Sequence, residues 1–312
     1  MMASLSISVV LTHFNKGPLL QRTIESLNPD LPELSEIIVV DDCSTDPQWP
    51  EFSKHLEELY FPKLKIIRNQ DNQGPARRLN QGGNNAQGDY IFFMDADDVL
   101  VPNRLKDIAN QLQVSNCDLF YGNKVKTHNL DVIQQHPNMD TSISEDPLSF
   151  IIQHNIMEMC VMSTKSVWQK SGGCNPSLFI QDESLSLQLG RVAQKLLFTE
   201  TPTVFVILDE EETKQKRGNN RLSQNLNQQH HDTFITIYDF LNSNQLTQSQ
   251  QHKLKQKALS TYWKSLKFRN KKTFIEFIYY ILGKSYPEKL WVKRQAQLKS
   301  YFEQLDHVRK PN

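Results

Sequence analysis

Short, mostly apolar runs recur along the first 210 positions, and each gives way to a stretch whose apolar residues fall three or four apart. Residues 6–11 (Ser6-Ile7-Ser8-Val9-Val10-Leu11), 36–40, 64–68 and 89–94 are strand-length. Two of the four, 36–40 and 89–94, are too continuously apolar for strands with one wet face, so they predict a sheet covered on both sides. Between the first two, Leu19, Leu20, Ile24 and Leu27 share one helical face behind Pro18, a residue suited to a first helical turn. A helix over 52–59 and another carrying Leu79 fill the next two gaps. Strands alternating with helices predict a parallel sheet wound right-handedly.

The alternation loosens after Pro102. A helix carries Leu105, Ile108, Ala109 and Leu112 on one side, and residues 118–121 read as a strand. Residues 124–147 are polar with little periodicity and predict a loop or excursion over the cleft. An antiparallel strand is expected over 157–162, a helix from Glu183 carrying Leu185, Leu189, Val192, Ala193 and Leu196, and a last strand over 203–208. Residues 209–227 predict a mobile loop. From about His230 the strand signals vanish, and aromatics interleave with bases, as in Tyr262-Trp263-Lys264 and Trp291-Val292-Lys293-Arg294. The expected architecture is a mostly parallel α/β sheet flanked by helices over 1–210, with an α-helical, basic and aromatic extension over 211–312.

Composition narrows the class. An apolar content of 38% suffices for a core, and no apolar run approaches the ~20 residues that span a bilayer. Met1 to Leu5 lack the basic flank and apolar region of a signal peptide. Cys43, Cys117, Cys160 and Cys174 are widely spaced with no C-x-x-C pair, so neither a zinc site nor a disulfide framework is indicated, and a cytoplasmic chain is expected. The balanced charge conceals a split: from Lys253 onward there are 15 Lys and Arg against four Asp and Glu. Nothing suggests a nucleic-acid partner.

The chemistry gathers where strands end. The 89–94 run closes in Asp95-Ala96-Asp97-Asp98, and the 36–40 run closes in Asp41-Asp42. Ligands of open α/β sheets sit just beyond the carboxyl ends of the strands. Asp95 and Asp97, two apart in extended chain, point to one side and repel unless a hard divalent cation joins them to an anion such as a diphosphate. With neither G-x-G-x-x-G nor G-x-x-x-x-G-K-[ST] present, a glycine-rich phosphate cradle is excluded. Asp42 can accept from the N–H of a uracil or thymine ring, Phe14 offers a flat surface for it, and Thr12 can reach its edge. Arg77 and Arg78 can meet base or phosphate. The structural alternatives are an acidic turn in which Asp98 or Asn103 caps the helix after Pro102, an Asx-turn at Asp41-Asp42, and a solvated arginine face. His13, His230 and His231 are each isolated, and packing explains a lone histidine more often than ligation.

Three segments carry a resemblance. Val9-Val10-Leu11-Thr12-His13-Phe14-Asn15-Lys16, Ile38-Val39-Val40-Asp41-Asp42-Cys43-Ser44-Thr45-Asp46 and Gly88-Asp89-Tyr90-Ile91-Phe92-Phe93-Met94-Asp95-Ala96-Asp97-Asp98 resemble, in order and spacing, the family-2 glycosyltransferases. The resemblance covers about residues 5–205. It implies the GT-A fold, with a nucleotide-sugar half near 1–100 and an acceptor half near 101–210. It also implies inverting transfer from a UDP-sugar, with a dTDP-sugar as second choice, assisted by Mn²⁺ or Mg²⁺. Carried over by motif, Thr12, Phe14 and Asp42 resemble nucleobase contacts, Asp95 the ribose contact, and Asp97 the metal-binding second acid of the D-x-D motif, with Asp95 beside it. Arg78 sits where the family often has an arginine for base or phosphate, although Leu79 stands where many members place theirs.

The segment Gln181-Asp182-Glu183-Ser184-Leu185-Ser186-Leu187-Gln188-Leu189 resembles the family's Glu-Asp-x-Asp-Leu stretch, which puts Asp182 in the position of the catalytic base and leaves Glu183 as the alternate. Gln181 and Ser184 replace two of its three acids. A helix N-terminus at Asp182 is expected to hold it ionised at pH 7, and a simple N-cap is the structural alternative. The implied acceptor is a glycan or lipid-linked glycan of polysaccharide or lipopolysaccharide assembly. Two readings of the basic extension stay open: a surface resting on an anionic membrane, or a bundle packed on the catalytic part or on a second subunit of a homodimer. The rival functions are a catalytically degenerate sugar-nucleotide-binding or scaffolding protein and a sugar-nucleotide pyrophosphorylase.

Overall fold

The computed structural model describes residues 5–128, 138–208, 225–271 and 273–310. Among the described residues nine strands form one sheet: β1 (Ile7–His13), β2 (Leu34–Asp41), β3 (Leu64–Arg68), β4 (Tyr90–Asp95), β5 (Val99–Leu100), β6 (Leu119–Thr127), β7 (Ser142–Ser144), β8 (Cys160–Thr164) and β9 (Leu196–Ile207). Their order is β3-β2-β1-β4-β8-β6-β9-β5, with β7 also on β9. The first four strands are mutually parallel, as expected. Strand β8 then enters antiparallel to both β4 and β6.

Alternation along the parallel strands explains why so few polar residues interrupt them. Val9, Leu11, Ile37, Val39, Phe92 and Met94 pack on one face with α1 (Pro18–Ser26), α2 (Trp49–Leu59) and α4 (Arg104–Ser115). Val10, Ile38, Val40, Ile91 and Phe93 pack on the other with α3 (Pro75–Asn85), α5 (Pro147–His154), α6 (Lys165–Ser171) and α7 (Asp182–Val192). Both faces are dry, so successive side chains must all be apolar.

Several expectations shift. The last strand is longer than 203–208 and begins at Leu196, so that leucine leaves the α7 face for the sheet. Lys124 to Thr127 continue β6 instead of opening a loop, paired with β9 out to Ile207. Asn103 precedes α4 in a left-handed conformation with no side-chain cap, and Asp98 is buried elsewhere, so neither caps that helix. Most of the loop expected over 209–227 lies outside the described residues. The short elements β5, β7, α5 and α6 carry too few residues to show a period.

Four helices complete the described chain: α8 (Leu226–Ser243), α9 (Gln248–Phe268), α10 (Phe274–Ser285) and α11 (Pro287–Glu303). Phe234, Ile237, Leu254, Trp291, Leu298 and Phe302 form a common core with Leu148 and Ile152 of α5 and Leu187 of α7. The helices therefore share apolar packing with the sheet's own covering layer. No helix among the described residues is long and apolar enough to cross a membrane.

Candidate active site

The carboxyl ends of β1, β2 and β4 open onto a cleft of about 550 Å³. Thr12, Phe14, Asp42, Asp95, Asp97, Asp182 and Glu183 all line it. Phe14 is 38% exposed, unusual for a phenylalanine at a strand end, and is available as a flat surface. Asn15 follows it in a left-handed turn, φ 52°. Its side-chain oxygen accepts from the backbone N–H of Thr45 (2.8 Å) and Asp46 (3.2 Å), which ties the tip of β1 to the loop after β2. Below them His13 is buried, stacked on Trp49 at 4.0 Å. Its Nε2 accepts from the Lys16 N–H at 3.2 Å, so Nδ1 carries the proton shared with Asp41 at 3.1 Å. Burial holds His13 below the usual imidazole pKa despite Asp41. It is a packed, neutral histidine.

Asp42 is held by three donors: the N–H groups of Gln73 (2.8 Å) and Gly74 (2.9 Å) and Nε of Arg78 (2.7 Å). Gly74 has φ 88°, and a Cβ there would meet the Phe179 ring at 2.7 Å, so both the turn and the space require glycine. Arg78 is buried, also pairs with Asp71 at 2.9 Å, and is not among the cleft-lining residues. Its guanidinium fixes Asp42 instead of facing the cleft.

The acidic tip of β4 divides by direction. Asp95 and Asp97 face the cleft, while Asp98 turns inward and is only 2% exposed. Lys124 of β6 reaches across to bridge Asp95 (2.7 Å) and Asp98 (2.6 Å). Burial would lower the Lys124 pKa, but the two carboxylates outweigh it and raise the pKa, keeping the amine charged. For Asp98, burial outweighs the attraction of Lys124 and pushes the carboxyl up to about 7. Lys16, at the β1 tip, contacts Asp97 at 2.5 Å. Neither lysine stood out in the sequence: Lys124 sits in a polar stretch that read as a loop, and Lys16 is one basic residue in a turn.

Asp182 begins α7 on the opposite wall. Its Oδ1 is buried with no hydrogen-bond partner. Burial, helped by the charge of Asp95 and opposed by Lys124, pushes its carboxyl up to about 7. The helix N-terminus does not offset this, and the carboxyl is held well above the usual carboxylate range. Glu183 is buried and paired with Lys257 of α9 at 2.7 Å. Helix α8 supplies the rest of this wall through Gln229, Asp232, Thr233 and Thr236. Asp232 accepts from the N–H groups of Phe179 (3.1 Å) and Ile180 (2.8 Å), just before Asp182, and pairs with His231 at 2.6 Å. An isolated Asp in a helix with no motif around it offers no sequence signal for this role.

The donor set suits a divalent ion that brings its own oxygen ligands. Among the described residues no group of three or more His, Cys, Asp and Glu could enclose a metal. Asp97 and Asp95 give hard oxygen donors on one side only, each held by a lysine (Lys16 and Lys124), so an ion bound there would displace those contacts and be magnesium-like, completed by phosphate and water.

A family model described as glycosyl transferase family 2 matches residues 8–169, more than half of the chain. The chain belongs to that family. Among similar curated proteins, an uncharacterized glycosyltransferase of a Nostoc species is 33% identical over 150 residues, 48% of this chain and 46% of that protein. The poly(ribitol-phosphate) beta-N-acetylglucosaminyltransferase TarP of Staphylococcus aureus is 34% identical over 120 residues, 37% of this chain and 36% of that protein. The chain thus spans less than half the length of these relatives. In three dimensions it is similar to S. aureus TarS 1-349 solved in complex with UDP-GlcNAc, with a TM-score of 0.66, 17% identity and 99% of each chain covered. That likeness shows the GT-A fold.

Proposed function

We propose that this chain transfers a sugar with inversion from a uridine diphosphate donor to a hydroxyl of a glycan or lipid-linked glycan in bacterial polysaccharide or lipopolysaccharide synthesis. A dTDP-sugar is the second-choice donor, and the sugar is a hexose or an N-acetylhexosamine. One observation carries the reading: the acids at the β4 tip, the Phe14 shelf and Asp182, whose Oδ1 has no hydrogen-bond partner, line a single cleft of about 550 Å³. That volume is in the range of ligand pockets generally. The relatives TarP and TarS, by name and by bound ligand, point to UDP-GlcNAc-type donors.

In this reading the uracil lies on Phe14, with Thr12 and Asp42 at its edge and Asp95 at the ribose. Arg78 contributes by holding Asp42. Lys16 directs positive charge at the diphosphate. Asp97, with Asp95, would hold a Mn²⁺ or Mg²⁺ ion, whose charge favours departure of the diphosphate. Asp182 takes the proton of the acceptor hydroxyl as its oxygen bonds to the anomeric carbon and the bond from that carbon to the diphosphate breaks. A base serves best with a pKa near the working pH, and about 7 meets that condition. Glu183, neutralised by Lys257, is the weaker alternative.

The test is UDP release from a panel of UDP- and dTDP-sugars, with and without Mn²⁺ and glycan acceptors. Release needing both metal and acceptor, and lost in Asp182→Asn with donor binding intact by thermal shift, is the expected result. Donor binding without turnover on any acceptor would favour the degenerate binding protein, which the losses at Gln181 and Ser184 keep in view.

A further inference from the structure

Helix α10 is inside out. Its one acid, Glu276, faces the bundle and is clasped by Arg294 through two contacts of 2.8 Å. Gly283 is its single buried residue, and a Cβ there would meet Leu259 at 3.1 Å, so the helix packs closely along that edge. The opposite face carries Phe274, Ile275, Phe277, Ile278, Ile281 and Leu282, each between 40% and 77% exposed. At 100° per residue these six fall within one continuous arc. Soluble helices bury such an arc; here it lies open.

The surrounding charge says what would cover it. Residues 264–299 hold ten Lys and Arg against two acids, Glu276 and Glu288. Both acids are engaged, Glu276 by Arg294 and Glu288 by His252 at 2.8 Å. Lys267, Lys271, Lys284, Lys289 and Lys293 are all exposed around the ends of α10 and on α11. Lys284 lies over the Tyr280 ring at 4.6 Å and Lys289 over Tyr286 at 5.8 Å, an aromatic and basic fringe beside the apolar arc. A second copy of this face would bring like charges together. An anionic lipid surface matches both parts at once: acyl chains for the arc, headgroups for the lysines.

We propose that the outward face of α10, with its lysine fringe, docks on the surface of an anionic bilayer. The docking does not depend on the proposed transfer reaction, and its test needs no turnover. Full-length protein is floated with phosphatidylcholine vesicles that contain or lack phosphatidylglycerol. The expected result is capture by the anionic vesicles alone, weakening as salt rises. In Ile278→Glu/Ile281→Glu, with unchanged circular dichroism, capture falls by about tenfold or more. A charge variant, Lys284→Glu/Lys289→Glu, leaves the apolar arc intact and also lowers capture. Trp263 stacks on Tyr280 at 5.4 Å and lies 5.8 Å from Phe277, so spin-labelled lipid should quench its fluorescence in the wild type. Failure of the wild type to bind anionic vesicles would overturn the proposal. So would capture of both variants at the wild-type level, or a dimer that Ile278→Glu/Ile281→Glu converts to monomer, which would assign the face to self-association.

Discussion

The two walls of the cleft are built by different means. On one side, Thr12, Phe14, Asp42, Asp95 and Asp97 stand at the ends of three parallel strands, each anchored by a run of fully buried residues. On the other, Asp182 begins a helix whose approach is held by Asp232, from a helix that begins 44 positions later in the chain. The first wall is rigid because its backbone is the sheet. The second is held by the packing of α7 on the sheet and by Asp232 contacts across a long sequence separation. The family match covers the first wall, residues 8–169, while the chemistry proposed for the second rests on contacts that lie beyond it.

Substitutions on the two walls should separate these contributions. Asp182→Asn should reduce turnover by about 10³-fold, the scale of a lost general base, with donor affinity little changed. In the wild type, kcat/KM should rise with pH through about 7 as Asp182 ionises. The same group makes a stability prediction of definite sign. Its folded pKa lies above the ~4 of an unfolded carboxyl, so its contribution is present below about pH 4 and lost as pH rises through 7. Asp182→Asn should therefore melt higher than wild type at pH 8, and a melting temperature equal to or below wild type there would contradict a raised carboxyl with a buried, unpaired Oδ1.

Lys124→Met should leave Asp95 and Asp98 without their shared cation and destabilise by about 3 kcal/mol or more, read from urea unfolding. An effect below ~1 kcal/mol would mean that the first wall does not rely on that bridge. Asp232→Ala should lower kcat by about 10-fold to 100-fold with a small change in donor KM, because it loosens the segment before Asp182 without touching the donor side. A change confined to donor KM would erase the distinction between the walls. Phe14→Ala should be the mildest, weakening UDP binding by about 1–2 kcal/mol in calorimetry, as loss of a base-stacking ring does.

Legibility in the sequence follows the same division. The parallel strands are covered on both faces, so their apolar runs are continuous and the acids closing them stand out. Lys124 was hidden because β6 leaves the covered region partway along, and its outer residues look like loop. Asp232, Gln229 and Thr236 were hidden because a helix that faces polar cleft on one side and apolar core on the other has a blurred period. The upward pull of burial on the Asp182 carboxyl is not legible for a related reason: helix position can be read from a motif, but burial depends on what packs against it. Residues 230–310 were legible as helices and as basic, and which helix face stays uncovered could be settled only by tertiary packing.

The knot at Asn15 has a thermodynamic corollary. Because its side chain laces two strand ends together and its own backbone is already turned, the shelf proposed for the nucleotide is finished before contact. Association there would freeze few torsions, so little of the interaction free energy would be offset by chain ordering. Asn15→Ala, which unlaces the ends without removing any group assigned to the nucleotide, should make uridine nucleotide binding entropically costlier while leaving its contacts in place.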